Sequence, residues 1–188
     1  MLGLVNPEKN DAGKVHFFEL ANSFANNGNQ VTIIVPAGKI DKRFEDKVNT
    51  IQLPLHYRDD FPRVFILSLF QTFYYFLIAN NSYDFVYNRI RLFPSVFNRL
   101  INIFRRTKTL ICCEQAGWIE SEVLIERNNR LMAKVGKLIQ LTDAYFADIV
   151  FPMTAGIKER LVSNGIDETK IEVVENGKSA SKYPQALI

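Results

Sequence analysis

Cysteine and histidine are scarce, with two of each among 188 residues, and neither pair has the spacing of a metal or disulfide framework. Cys112 and Cys113 are adjacent in an apolar run, so on a strand their side chains point to opposite faces. They read as small core residues of a reducing compartment, which argues against a disulfide scaffold and for a cytoplasmic location. His16 and His56 lack Cys or His neighbours at ligand distance, which excludes a zinc site. One-signed charge is lacking as well: 23 Lys and Arg face 20 Asp and Glu, a net of +3. No basic run interleaved with stacking aromatics occurs, so nucleic acid is not an expected partner. The most apolar stretch, residues 64–79, is broken by Ser68, Gln71 and Thr72 and falls short of the ~20 residues that span a bilayer. The opening residues, Met1 to Pro7, lack a basic segment followed by a long apolar one, so no secretory signal is expected. Neither Gly-x-x-x-x-Gly-Lys-Ser/Thr nor Gly-x-Gly-x-x-Gly is present, which removes the P-loop and the dinucleotide fingerprint.

What is present is an ordinary globular composition, 47% hydrophobic and rich in Phe (15) and Tyr (7), enough for one α/β core. Strand-length apolar runs at 2–6, 30–35, 50–55, 83–87, 109–113, 147–153 and 170–175 alternate with helical periodicity. Phe17, Leu20, Ala21 and Phe24 form a stripe that stops at Asn27-Gly28. Pro62 opens a long aromatic helix to about residue 79. Phe93, Val96, Phe97, Leu100, Ile101 and Phe104 mark another helix. Residues 120–143 read as one helix with Leu124, Leu131, Val135, Leu138 and Leu141 inward. Thr154 can cap a last helix that ends at Asn164-Gly165. The alternation predicts an α/β fold, a Rossmann-like doubly wound and mostly parallel sheet with right-handed crossovers.

Ligands of such sheets bind beyond the carboxyl ends of the strands. The residues leaving those ends are Asn10 to His16, Asn88-Arg89-Ile90-Arg91, Glu114 to Trp118 with Glu120 and Glu122 beyond, and Thr154. Each also has a plainer role. Asp11 to Lys14 can be a helix start whose Asp meets the dipole, and Glu120 and Glu122 an acidic first turn. His16 can be merely exposed, and Arg89 and Arg91 solvated. Glu114 is either ion-paired to an arginine or a ligand contact. His56, near Asp59 and Asp60, reads as surface. The rim as a whole suits a polar, hydroxyl-rich or phosphate-bearing ligand.

The order of short motifs adds a resemblance. His16-Phe17-Phe18-Glu19-Leu20-Ala21 and Asn27-Gly28-Asn29-Gln30-Val31-Thr32 are similar to "H-V-x-E-L-A…x-G-H-E-V-T". Tyr83-Asp84-Phe85-Val86-Tyr87-Asn88-Arg89 resembles "Y-D-x-I-Y-x-R", and Leu110 to Glu114 with Glu122 resembles "x-x-x-x-E-x-N…E". The closing residues, from Ala147-Asp148 through Thr154, Leu161, Gly165-Ile166 and Lys170-Ile171 to Asn176-Gly177, resemble "A-D-x-V-x-x-x-S…L…G-I…K-I-x-V-x-x-N-G". Together these resemble the N-terminal domain of GT-B glycosyltransferases of family four. Two departures stand out: Asp11 and Ala12 occupy the family's glycine pair, and Arg89 stands where many relatives carry histidine.

The resemblance implies a division into residues 1–177, one half of a GT-B fold, and 178–188, the start of an interdomain linker. It implies the acceptor-binding half of a retaining, nucleotide-sugar-dependent glycosyltransferase of cell-surface polysaccharide or glycolipid synthesis, inactive by itself. Its partners would be a sugar or lipid-linked acceptor and the nucleotide-sugar donor, with Gly13, Lys14, His16, Arg89, Glu114 and Thr154 as substrate-binding residues. No cofactor or metal is implied, and no Asp-x-Asp occurs. A non-catalytic subunit that binds acceptor or membrane and pairs with a separate donor-binding chain stays open. The helix near 61–79 is expected either to be buried on the sheet or to touch the inner face of the membrane as a peripheral contact. Adjacent parallel strands lie about 4.8 Å apart, so Arg89 and Glu114 are expected within reach of each other, with His16 facing the same cleft.

Overall fold

Five of the apolar runs become strands in the computed structural model, which describes residues 1, 2, 5, 7, 8, 12–40, 48–58, 61–79, 83–89 and 93–174. Most of the first expected strand, Asp11, Asp59, Asp60, Ile90, Arg91, Asn176, Gly177 and the expected linker 178–188 lie outside these. The described elements run α1 (Ala12–Asn26), β1 (Thr32–Ala37), β2 (Asn49–His56), α2 (Phe61–Ile78), β3 (Phe85–Arg89) and α3 (Pro94–Arg105), then β4 (Leu110–Gln115), α4 (Ile119–Arg127), α5 (Arg130–Phe146), β5 (Ile149–Pro152) and α6 (Ala155–Ser163).

All pairings among the described strands are parallel: β1 with β2, β3 with β4, and β4 with β5. Leu2 joins the two groups, bridging Ile34 on one side and Asn88 on the other. Its N–H donates to the Tyr87 carbonyl at 2.8 Å, and its carbonyl accepts from Arg89 N–H at 3.1 Å. At the opposite edge Ile171 bridges Val150. The described part of the expected strand at 170–175 runs along β5, with Glu172 N–H donating to the Val150 carbonyl at 2.9 Å and Val174 N–H to the Pro152 carbonyl at 3.1 Å, and it follows a 3-10 turn at Glu168–Lys170. Pro54 sits in β2, which pairs only with β1 among the described strands, so its missing N–H leaves no ladder bond unmade.

Side chains alternate across the sheet and sort the core into two parts. Ile33 and Val35 of β1 pack with Phe17, Phe18 and Ala21 of α1. Ile34, Val86, Ile111, Cys113 and Val150 pack under α2, α3 and α5. Burial keeps both free thiols protonated: Cys112 is pushed up to about 11, and Cys113 well above its ordinary value. At the end of α1 the backbone turns left-handed at Gly28, φ 84°, as a glycine stop permits.

Residues 120–143 do not form one helix. Asn128 adopts the left-handed conformation, φ 46°, and Asn129 caps a new helix by accepting from Met132 N–H at 3.0 Å. Of the expected inward stripe Leu141 packs on the core, but Leu131 and Leu138 are 74% and 63% exposed, while α5 buries Ala133, Gln140, Asp143 and Ala144. The alanines permit close approach, and the two polar residues are matched to partners. Gln140 donates to Gln115 Oε1 at 2.6 Å and to the Gly117 carbonyl at 2.7 Å, and accepts from Ile119 N–H at 3.0 Å. Asp143 accepts from Ser95 N–H at 2.6 Å and from Cys113 Sγ at 3.2 Å. Buried polar groups satisfied in this way select one packing over others. On α2, Gln71 is buried and donates to the Ile34 carbonyl at 2.9 Å, so it faces the sheet and not the interfacial side.

Burial outweighs these hydrogen bonds at Asp143 and pushes its carboxyl up to about 6 from an ordinary 3.8. The folded state therefore binds the proton more tightly than the unfolded state, and stability falls as pH rises from about 4 to about 6. At neutral pH the cost is on the order of 3 kcal/mol. Asp143→Asn is expected to remove that component. Urea denaturation of both proteins across this window should show their stabilities diverging in favour of the variant as pH rises. Parallel profiles would contradict the assignment.

Candidate functional site

The in-register pairing of β3 with β4 sets Arg89 directly opposite Glu114 at the carboxyl ends of both strands. Period two places Tyr87 on the same face of β3 as Arg89, and α1 brings its first turn over that face. Four groups converge as a result. Tyr87 Oη donates to Glu114 Oε2 at 2.6 Å. His16 Nε2 lies 3.4 Å from the same oxygen. Arg89 Nε lies 3.4 Å from Glu114 Oε1, and its Nη1 donates to the Gly13 carbonyl, tying the strand end to the start of α1.

Glu114 is 2% exposed. Burial alone would raise its carboxyl, but the hydrogen bond with His16, the charge of Arg89 and the Tyr87 hydroxyl together hold it below the usual range. The same contact, seen from the phenol, raises Tyr87: burial first, then the neighbouring carboxylate charge, disfavours its ionisation. Glu114 is thus an anion at neutral pH and Tyr87 a neutral donor. Glu114 Oε1 accepts no hydrogen bond among the described residues. A buried carboxylate oxygen without a donor is a rarity, and Glu114 lines two cavities.

One cavity, about 150 Å³ and largely apolar, is lined by His16, Leu20, Phe24, Tyr87, Glu114 and Phe151 among others. The other, about 410 Å³, is polar and includes Arg89, Glu114, Gln115, Glu122, Arg127 and Gln140 in its wall. Gly117 also lines this wall, and a Cβ there would displace the flexible end of Glu122, meeting its Oε1 at 1.7 Å. A third cavity of about 290 Å³, lined by Gly28, Thr32, Tyr83 and Asp84 among others, opens at the amino ends of the strands. It carries none of the convergent groups, and strand-end chemistry favours the other two.

Of the residues singled out from sequence, the structure brings His16, Arg89 and Glu114 together, with the backbone of Gly13. Lys14 lies half-buried on the first turn of α1. Thr154 caps α6, its hydroxyl accepting from Ile157 N–H at 3.3 Å. Glu120 accepts from Trp118 Nε1 at 3.2 Å and pairs with Lys137 at 3.9 Å, a structural role. His56 is exposed beside Glu8. Sequence reading named Tyr87 only as part of a strand and a motif and did not single it out for the site. Its place two residues before Arg89 on a strand was the available signal.

The model of Glycosyltransferase Family 4 matches residues 13–181. The chain belongs to that family. No curated sequence matches it significantly. Among solved structures, Alr3699/HepE of Anabaena in complex with UDP and glucose superposes at TM-score 0.60 and 11% identity, covering 97% of this chain and 45% of that one. A putative UDP-N-acetylglucosamine 2-epimerase from Listeria monocytogenes gives 0.58 and 15%, covering 90% and 42%. The lipopolysaccharide outer core galactosyltransferase WaaB in its apo form gives 0.54 and 13%, covering 95% and 45%. At such identities the likeness is one of fold, the Rossmann-like half of GT-B. This family 4 domain spans less than half the length of each of these structures.

Glu114→Gln in the family 4 domain is expected to destabilise it by on the order of 1 to 3 kcal/mol at neutral pH, since the amide replaces an anion held by two donors and the Arg89 charge. The sign follows from the lowered carboxyl: its contribution is full above the unfolded-state value and is lost as pH falls through the folded one. Urea denaturation should therefore show the gap between wild type and variant closing in acid. A gap that widens in acid would overturn the assignment.

Proposed function

We propose that this domain is the acceptor-binding half of a retaining glycosyltransferase that uses a nucleotide-sugar donor in cytoplasmic synthesis of cell-surface polysaccharide or glycolipid. The observation that carries the reading is the Glu114 carboxylate, buried and ionised, its Oε1 without a hydrogen-bond donor among the described residues, on a residue that lines both cavities at the strand ends. An anionic acceptor oxygen in a dry site suits a sugar hydroxyl, which donates the hydrogen bond that Oε1 lacks. The Arg89 guanidinium has further N–H donors beyond the one used on the Gly13 carbonyl. His16 offers a second polar contact from the helix start. These groups would hold hydroxyls of the acceptor or oxygens of the leaving diphosphate, whose charge grows as the glycosidic bond to the donor breaks.

The shape of the rim fits a ligand with both polar and apolar parts, because Glu114 separates a polar cavity from an apolar one. The donor nucleotide would be bound mainly by a second half of the enzyme. Alr3699/HepE, more than twice as long as the matched region, holds UDP and glucose, which supports the donor class by analogy of fold.

Arg89 is the sharper probe, because Glu114 is also structural. In an enzyme that joins this domain to a donor-binding half, Arg89→Ala is expected to lower turnover by about 10²-fold or more and to lower the urea midpoint as well, because Glu114 loses its charge partner; Arg89→Lys, which keeps that charge but not the planar fork, is expected to lower turnover with the midpoint little changed. Unchanged turnover would exclude the proposed role. The 188-residue chain alone is expected to transfer no sugar from any nucleotide donor, and measurable transfer would contradict its reading as an acceptor half.

A further inference from the structure

The polar cavity at the strand ends is walled on one side by Arg89 and Glu114 and on another by α4, through Glu122, Glu126 and Arg127. At the strand end Glu114 is buried, its Oε1 without a donor among the described residues. The helix α4 is seated firmly by its other contacts. Gln140 accepts from Ile119 N–H at 3.0 Å and donates to the Gly117 carbonyl at 2.7 Å, fixing the turn from which α4 starts. Ile119 sits so close to Gly136 of α5 that a Cβ there would meet its Cγ2 at 2.5 Å. Glu120 pairs with Lys137 of α5 at 3.9 Å, and Ser121 Oγ accepts from Arg160 of α6 at 2.9 Å.

Glu122 and Glu126, by contrast, are exposed, and no ion pair or side-chain hydrogen bond holds either carboxylate among the described residues. They lie one turn apart on the same side of the helix, so each disfavours the other. Glu126 also stands in the last turn of α4, where a negative charge opposes the helix dipole. The stability of the helix does not account for this pair. A ligand in the cavity they line does.

The charges of the wall limit what that ligand is. Three carboxylates, Glu114, Glu122 and Glu126, disfavour a phosphate or an acidic sugar, and two guanidiniums, Arg89 and Arg127, disfavour an amine. Hydroxyls suit the mixture, since they donate to carboxylates and accept from guanidiniums. The spread of the groups sets the ligand's length. Glu122 and Glu126 are separated by roughly 6 Å along the helix axis, about the extent of one pyranose ring, and they are distinct from the buried pair at the strand ends.

We propose that α4 provides a second sugar subsite. The acceptor is a neutral glycan of two or more residues, whose terminal sugar meets Glu114 and Arg89 and whose next sugar is held by Glu122, Glu126 and Arg127. The inference rests on the acceptor-binding reading of the same cavity and adds to it the charge and length of the ligand.

The test places the fluorescently labelled 188-residue chain on an array of neutral, acidic and amino glycans of one to four residues. NMR titration then compares the best-bound glycan with its own terminal monosaccharide and disaccharide. A neutral ligand is expected, with the disaccharide bound about tenfold more tightly than the monosaccharide. Glu126→Gln and Arg127→Gln should each bring that ratio towards one. Both residues are exposed, and circular dichroism checks that each variant folds. Equal affinity for monosaccharide and disaccharide, a ratio that neither substitution lowers, or a preference for acidic or amino glycans would overturn the second subsite and leave the acceptor reading standing. Binding of no glycan at all would contradict both.

Discussion

Burying a carboxylate costs several kcal/mol unless donors replace the water it loses, and the strand-end rim of this domain is arranged around meeting that requirement at Glu114. Three elements contribute: Tyr87 and Arg89 from β3, His16 from α1, and the end of β4, which carries the carboxylate itself. Arg89 extends the link to the Gly13 carbonyl. The angle at which α1 meets the sheet is therefore coupled to the charge state of one group. Because Oε1 is left without a donor, the cluster is complete as an electrostatic arrangement but incomplete as a hydrogen-bonded one. A ligand hydroxyl would close it.

The fold was legible wherever periodicity and stop signals agree. The run Thr32 to Ala37 is apolar on both faces, as a strand covered on both sides must be, and Gly28 before it has the positive φ that a helix stop needs. Legibility failed at residues 120–143 because α5 is amphipathic in an unusual sense. Leu131, Val135 and Leu138 mark one stripe, while Ala133, Gln140, Asp143 and Ala144 mark the other. Apolar periodicity alone chooses the first. The protein buries the second, because short side chains pack closely and Gln140 and Asp143 find partners on β4, on α3 and in the turn after β4. The break at Asn128 was written in the Asn-Asn pair, since asparagine tolerates the left-handed turn.

At the rim, the rule that ligands gather beyond strand ends located Arg89 and Glu114 without any family knowledge. Their contact follows from register, which sequence does not display. Tyr87 was hidden because tyrosine at a strand centre reads as core, and only its hydroxyl reveals the role. Thr154 shows the opposite limit: a hydroxyl at a strand end is as well suited to capping the next helix, and here it does so. The outward stripe of α5 and the buried polar network beneath it are two sides of one fact. Had the leucines been inward, the helix would have lacked both its apolar outer face and its specific seat on the sheet.

The central claim is that the Tyr87 and His16 hydrogen bonds and the Arg89 charge together outweigh burial at Glu114, and its most direct measurement is the titration of that carboxyl. In protein labelled with ¹³C-glutamate, the Glu114 Cδ resonance, assigned by its loss in Glu114→Gln, can be followed from neutral pH into acid. The account predicts a midpoint below the ordinary glutamate value of 4.5. A midpoint above 4.5 would mean that burial dominates, that the carboxyl is held by fewer donors than described, and that the rim is not built around an anion.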